Sequence, residues 1–230
     1  MDTPFAVLLD IDGTLVDSNF LHVDAWQQAF QQSGLTVAAW RIQRAIGADS
    51  SKLLDQLVGS QSEAVKAEAK ARNSAAFQGM MSRLEPFDGA RDFIAALAEQ
   101  GNRVVLATSA PPEELQALLK TLDVDDHLHA VTSADDVETA KPEPDIIEVA
   151  LERAGVPADH AVMIGDAVWD VVAASKVGVP CIALLSGGTG RAELLDAGAV
   201  AVFDDIADLH EHAGDRALRE FLTSGLSSTP

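Results

Sequence analysis

Asp10 and Asp12 flank Ile11 directly after the apolar run FAVLL at residues 5–9, and Gly13 and Thr14 follow them. The run is short and rich in Val and Leu, which predicts a buried strand ending in a sharp turn. Side chains two apart on a strand face the same side, so the two acids are set to point together. Like charges this close repel, and covering them strips away their water. A divalent metal between them, or a proton held by one of them, resolves the conflict. Other polar residues fall where further strands should end. Thr108 and Ser109 follow the run RVVLA at 103–107, Gly165 and Asp166 follow AVMI at 161–164, and Lys141 opens a stiff Lys-Pro-Glu-Pro turn at 141–144. A parallel sheet brings such strand ends to one edge. Acids, a hydroxyl and an ammonium gathered there can perform phosphoryl transfer. A metal bridges carboxylates and a phosphate oxygen, the hydroxyl and ammonium hold the remaining oxygens, and a carboxylate attacks in line.

The elements that must position these groups follow from periodicity. Residues 17–32 place Phe20, Leu21, Val23, Ala25, Trp26, Ala29 and Phe30 at three- and four-residue spacing, with Ser18 or Asn19 as the helix cap and Gly34 as the stop. Helices are also predicted over 37–46, 50–58 and 62–84, so a block of helices interrupts the chain just after its first strand. Trp26 and Trp40 are expected in the core of that block. From Pro86, Asp88 and Gly89 onward, strands and helices alternate through residue 203. That alternation predicts an α/β fold with a parallel sheet. The Ser- and Gly-rich tail from Thr223 is expected to fray.

Composition narrows the function classes. The chain has 230 residues, 47% of them hydrophobic, and a formal net charge of −20. That is enough apolar content for a sizeable core. The negative surface argues against nucleic acid and anionic membranes, whose phosphates are met by basic faces. One cysteine, Cys181, rules out an internal disulfide and fits a reducing cytoplasm. It lies in an apolar run and reads as a small buried hydrophobe. No secretory leader or membrane-length apolar run is expected. The SGGTG segment at 186–190 lacks the Lys-Ser/Thr ending of a nucleotide-binding loop and reads as a loop after a strand.

Together, DIDGT at 10–14, the strand ending in Thr108, Lys141-Pro142 and GDAVWD at 165–170 resemble the haloacid dehalogenase superfamily of phosphohydrolases. The likeness is to the subgroup with a helical cap after the first strand, which includes phosphoglycolate phosphatases and β-phosphoglucomutase. It runs through the whole chain, including the return PFDGA at 86–90. It implies a Rossmann-like core over 1–16 and 85–230, a helical cap over 17–84, and Mg2+ as cofactor. The implied substrate is a small phosphorylated metabolite, a sugar phosphate or one like phosphoglycolate, handled by a cytoplasmic monomer or dimer. Asp10 would be the nucleophile that forms an aspartyl-phosphate. Asp12 would be general acid and then base, with its pKa raised as the cap closes and expels water. Asp10, the backbone carbonyl of Asp12 and Asp166 would hold the metal, supported by Asp170 from one helical turn away. Thr108, Ser109 and Lys141 would bind the transferring group, with Lys141 also screening Asp10. His22 matches a histidine that the mutase places near its site.

Dehalogenases and phosphonatases of the superfamily lack an acid at the position of Asp12, so neither activity is expected. The phosphonatases also need a cap lysine, for which Lys52 is available. The mutase's Lys-Gly-x-x-Arg pattern falls on Ile46-Gly47-Ala48-Asp49-Ser50, without its cations. A phosphatase is the leading reading. The alternatives are a β-phosphoglucomutase-like phosphotransferase and a non-enzymatic phospho-aspartyl regulator. Asp12 and the cap favour turnover over the regulator.

Overall fold

The computed structural model of the protein describes residues 4–137, 139 and 141–213. Six parallel strands form one sheet. They are β1 (Ala6–Leu9), β2 (Arg103–Leu106), β3 (Ala130–Val131), β4 (Ala161–Gly165), β5 (Cys181–Leu184) and β6 (Ala201–Phe203), in the order β3-β2-β1-β4-β5-β6. The α/β class with a Rossmann-like parallel sheet is therefore the observed architecture. β1 is central, with Leu8 paired to Val105 on one side and Met163 on the other. The strand order reverses direction across β1, so the crevice beyond its C-terminal end is where a ligand site belongs.

Strand alternation divides the core cleanly. Val7, Leu9, Val104, Leu106, Val162 and Ile164 pack under α5 (Ala90–Glu99), α6 (Pro112–Leu122) and α10 (Ile206–His212). Ala6, Leu8, Val105, Met163 and Cys181 face α7 (Asp145–Ala154), α8 (Val168–Lys176) and α9 (Arg191–Asp196). Leu8 and Leu9 are fully buried, and each such side chain is worth about 1.5–3 kcal/mol relative to exposure. Cys181 is 1% exposed, the buried hydrophobe its context predicts.

Between β1 and α5 lies an all-helical insert made of α1 (Asn19–Gln32), α2 (Ala39–Gln43), α3 (Ser50–Val58) and α4 (Glu63–Gln78). It has its own apolar cluster around Trp26, Phe30, Ile42, Leu53 and Leu57, while Leu21, Ala25 and Phe77 root α1 and α4 in the main core. The two connecting segments run side by side. Asp17 N–H donates to Glu85 O at 2.9 Å and Phe87 N–H to Leu15 O at 2.9 Å.

Several local expectations differ from what forms. The helix predicted over 37–46 shrinks to Ala39–Gln43, and the one over 62–84 stops at Gln78 before Gly79, with only a 3-10 turn at Met81–Arg83 beyond it. Gly79 keeps right-handed torsions but is, after proline, the residue that least favours continuing a helix. Ser18 occupies the N-cap position of α1 but makes no capping bond. Trp40 is 66% exposed, not in the insert's core, because α2 has only one turn to bury and Ile42 takes the inner face. The tail from Thr223 lies outside the described residues. No helix among the described residues is long and apolar enough to cross a membrane.

Candidate active site

Asp10 stands immediately after β1 and remains in its ladder, donating its backbone N–H to Ile164 O at 2.9 Å. Its carboxylate meets Lys141 Nζ at 2.5 Å, and the same ammonium faces Asp170 Oδ1 at 2.7 Å. Lys141 is 3% exposed, far from the solvated position most lysines take. Asp166, just past β4, accepts from Thr14 Oγ1 at 3.0 Å and from Asn19 Nδ2 at 2.8 Å. Asp170 also accepts the Ala167 N–H at 3.0 Å, which closes the first turn of α8.

Asp10, Asp166 and Asp170 can each place one carboxylate oxygen within 4.8 Å of the others. Asp10 and Asp170 share one ammonium while Asp166 has only the neutral donors Thr14 and Asn19, and the electrostatics are unbalanced. Burial, reinforced by Asp170 and Asp12, pushes the Asp10 carboxyl up to about 7 against the pull of Lys141. Burial and the charges of Asp170 and Asp10 push Asp166 well above the carboxylate range, despite the bonds from Thr14 and Asn19. Lys141 behaves oppositely. Burial works against its charge, but Asp10 and Asp170 outweigh it and hold the ammonium firmly protonated. The cation is fully compensated and the acids are not. This surplus negative charge, presented entirely by hard oxygen donors, fits a divalent ion such as Mg2+. Asp170 stands in this cluster with its Oδ1 on Lys141 and its Oδ2 on the Ala167 N–H.

Two glycines let loops close onto Asp166. Gly13 has φ +75, and a Cβ there would overlap Asn19 Nδ2 and Asp166 Oδ2. A Cβ at Gly187 would overlap Asp166 Oδ2 as well. Gly187→Ala must therefore displace the Asp166 carboxylate. If Asp166 holds a divalent ion that turnover needs, the Mg2+ concentration for half-maximal activity should rise about 10–100-fold, the usual effect of disturbing the support of a metal ligand. A magnesium titration of activity, with circular dichroism to verify folding, measures it.

Asp12 turns away from the acid cluster. Ser18 Oγ donates to its Oδ1 at 2.5 Å, and His22 Nε2 lies 3.4 Å from the same oxygen. The His22 ring stacks on Phe77 with centroids 3.9 Å apart. Burial raises the Asp12 carboxyl, but the hydrogen bond and charge of His22 and the bond from Ser18 outweigh it and leave the carboxyl below its ordinary value. The raised pKa expected for Asp12 is thus reversed, and Asp10 is the acid pushed up. His22 is the counterpart. Burial lowers its pKa, and Asp12 with the nearby Glu114 raises it by more. Both partners are charged in the folded state between the ordinary values of 3.8 and 6.5. The pair's stabilisation fades as pH falls through the depressed Asp12 value and as it rises through the elevated His22 value. The gap in melting temperature between wild type and His22→Gln should be widest inside that window and narrow on either side, above a constant offset from the lost Phe77 stack. Melting curves at several pH values test this.

These groups open into a cavity of about 250 Å³ between the sheet edge and the insert. Asp10, Asp12, His22, Thr108, Ser109, Lys141 and Asp170 all lie on its wall. Thr108 is 2% exposed, with its Oγ1 accepting the Ala110 N–H at 3.0 Å and its carbonyl accepting the Thr132 hydroxyl at 3.0 Å. Asp166 sits behind this wall and borders a second hollow of about 160 Å³ with Asn19 and Gly187. Lys52 is elsewhere, paired with Glu143 at 3.2 Å. Sequence reasoning assigned no site role to Asn19, Glu114, Asn73 or Gly187. Asn19 finds Asp166 and Gly187 only far along the chain, and no short motif marks the others.

A parallel α/β sheet bearing a buried, lysine-paired aspartate at its central strand end, roofed by a helical insert, defines the class structurally. The family model for haloacid dehalogenase-like hydrolases matches residues 6–178. A phosphoglycolate phosphatase of Rhodospirillum rubrum is 30% identical over 92% of this chain and 91% of its own length. A phosphorylated carbohydrates phosphatase of Thermotoga maritima is 28% identical over 86% of this chain and 93% of its own. Among solved structures, a hydrolase from Pseudomonas syringae superposes with a TM-score of 0.87 at 30% identity, covering 92% of this chain and 99% of that one. The chain belongs to the haloacid dehalogenase-like hydrolase family and is an enzyme of that family.

Proposed function

We propose that the protein is a Mg2+-dependent phosphatase that hydrolyses a small phosphorylated metabolite through an aspartyl-phosphate on Asp10, with the helical insert acting as a cap over the site. The observation that carries this is the buried Asp10 carboxylate, fixed by Lys141 at 2.5 Å on a cavity wall and backed by a cluster of unbalanced acids. Asp10 attacks phosphorus, the P–O bond to the leaving group breaks, and the departing oxygen takes a proton from Asp12. Asp12 and Glu114 raise the His22 pKa, so His22 can supply that proton through Asp12 even though the carboxyl itself is depressed. Asp12, again a carboxylate, then takes a proton from water, whose oxygen attacks phosphorus and frees Asp10 and inorganic phosphate. Lys141 and Thr108 hold the phosphoryl oxygens, with Ser109 beside them. Asp10, Asp166 and the Asp12 carbonyl would hold Mg2+, with Asp170 alongside; when bound, the ion neutralises the phosphoryl charge. The phosphatases named among the relatives support a sugar phosphate or a phosphoglycolate-like ester as substrate.

Phosphate release from a panel of small esters, with Mg2+ or with EDTA, tests this directly. Turnover that requires Mg2+ supports the phosphatase. Stoichiometric labelling of Asp10 by acetyl phosphate without turnover of any ester would replace it with a phospho-aspartyl regulator.

A further inference from the structure

Part of the cavity wall takes no direct role in the reaction above, yet it is polar. This part is formed by Asp49 and Ser50 at the start of α3, Lys70, Asn73 and Ser74 on α4, and Glu114 on α6. Asn73 is 9% exposed, and its buried Oδ1 has no hydrogen-bond partner among the described residues. A buried amide oxygen without a donor costs free energy unless a ligand supplies one. Asn73 lies one helical turn before Phe77, whose ring stacks on His22, so it sits on the α4 face above the reacting carboxylates.

Charge selects the kind of ligand. The cavity wall carries Lys141 at the phosphoryl end, His22 beside Asp12 and Lys70 at an exposed rim, against Asp10, Asp12, Asp49, Glu114 and Asp170. Beyond the paired groups Asp10, Asp170 and Lys141, and Asp12 and His22, a carboxylate on the leaving group would meet Asp49 and Glu114 against Lys70 alone. A hydroxyl-bearing leaving group meets both donors and acceptors in Ser50, Ser74, Asn73 and Glu114, and Trp26 offers an apolar flank. The cavity, at about 250 Å³, is also smaller than the ~300 Å³ at which ligand pockets usually begin, so the group is short.

We propose that the site selects an uncharged, hydroxyl-bearing leaving group, the alcohol of a polyol or sugar phosphate, over a carboxylate-bearing one. Asn73 is the specificity-determining residue, its Oδ1 accepting a hydrogen bond from a substrate hydroxyl. This rests on the phosphatase reading above and departs from the carboxylate ester named in the Rhodospirillum rubrum relative.

The test compares kcat/KM within pairs of esters that differ only by CH2OH against carboxylate. Suitable pairs are 2-hydroxyethyl phosphate with 2-phosphoglycolate and glycerol 3-phosphate with 3-phosphoglycerate. The wild type should favour the alcohol in the best pair by about tenfold or more, and Asn73→Leu should cut that ratio by on the order of tenfold. The ratio is taken within one protein sample, so a reduced folded fraction cancels, and the wild-type comparison stands without any variant. Equal or better use of the carboxylate ester by the wild type overturns the proposal and leaves the phosphatase reading intact. So does an unchanged ratio in Asn73→Leu. Absence of turnover with every ester, acetyl phosphate included, overturns both.

Discussion

Asp10→Asn is expected to cut Mg2+-dependent phosphate release by at least about 10⁴-fold, the scale on which loss of an attacking group acts in hydrolases, without unfolding the protein. The amide keeps the shape of the carboxylate but has no charged oxygen to attack phosphorus. Structure argues that the fold survives. Lys141 still faces Asp170 at 2.7 Å, so no buried ammonium is left alone. The substitution also removes one member of a repelling cluster. In the wild type the Asp10 carboxyl is raised from 3.8 to about 7 by burial and by Asp170 and Asp12. A raised acid binds its proton more tightly folded than unfolded, so it withdraws stability as pH climbs through that interval. Asparagine has no such dependence. In the absence of metal, the melting temperature of Asp10→Asn should therefore gain on wild type between pH 4 and 7, and stay ahead above it. Steady-state phosphate release and melting curves in EDTA measure the two halves. Retained turnover would remove Asp10 from the chemistry, and a variant that falls behind wild type as pH rises would mean that the cluster is not electrostatically strained.

Much of this was legible in the chain because the signals are local. The run FAVLL followed by two acids carries strand, turn and charge within ten residues, and strand alternation alone predicts that Leu8 and Leu9 part to opposite faces, as they do. Alternating strand and helix after residue 86 likewise gave the parallel sheet. What was not legible depends on placement. Asn19 looks like a helix cap, but its amide reaches 147 residues along the chain to Asp166. Gly187 looks like a loop residue, and only its approach to Asp166 shows why a side chain cannot fit. Trp40 fits a helical period, yet a period cannot say which apolar face will find a partner. Asp12 is the sharpest case. Burial alone argues for a raised carboxyl, and Ser18 and His22 are close in sequence, but only their orientation on α1 shows that they reverse the shift.

Lys141→Met is expected to be costly to both stability and turnover. Lys141 is 3% exposed, and its ammonium is held charged by Asp10 and Asp170 despite burial. Removing it leaves Asp10, Asp166 and Asp170 within 4.8 Å of one another with no protein cation between them. Breaking one side of a buried charge pair typically costs about 3–5 kcal/mol, a large part of the 5–15 kcal/mol that holds a domain folded. The sign with pH follows from the acids left behind. Asp10 is raised even against the pull of Lys141 and without it rises further, while Asp166 is raised by burial and by its acidic neighbours. The variant's deficit should be small near pH 4, where protonation relieves the repulsion, and grow steadily toward pH 8. Mg2+ should recover part of that deficit, because a divalent ion can take over the neutralising role. Turnover should still fall by on the order of 10²–10³-fold, the usual cost of losing one electrostatic contact to the transferring group. Calorimetry at pH 4.5 and pH 8, each with and without Mg2+, separates these effects. A deficit that does not change with pH would mean that Lys141 is lost as packing alone, and a deficit that Mg2+ fails to reduce would place the metal away from these three acids.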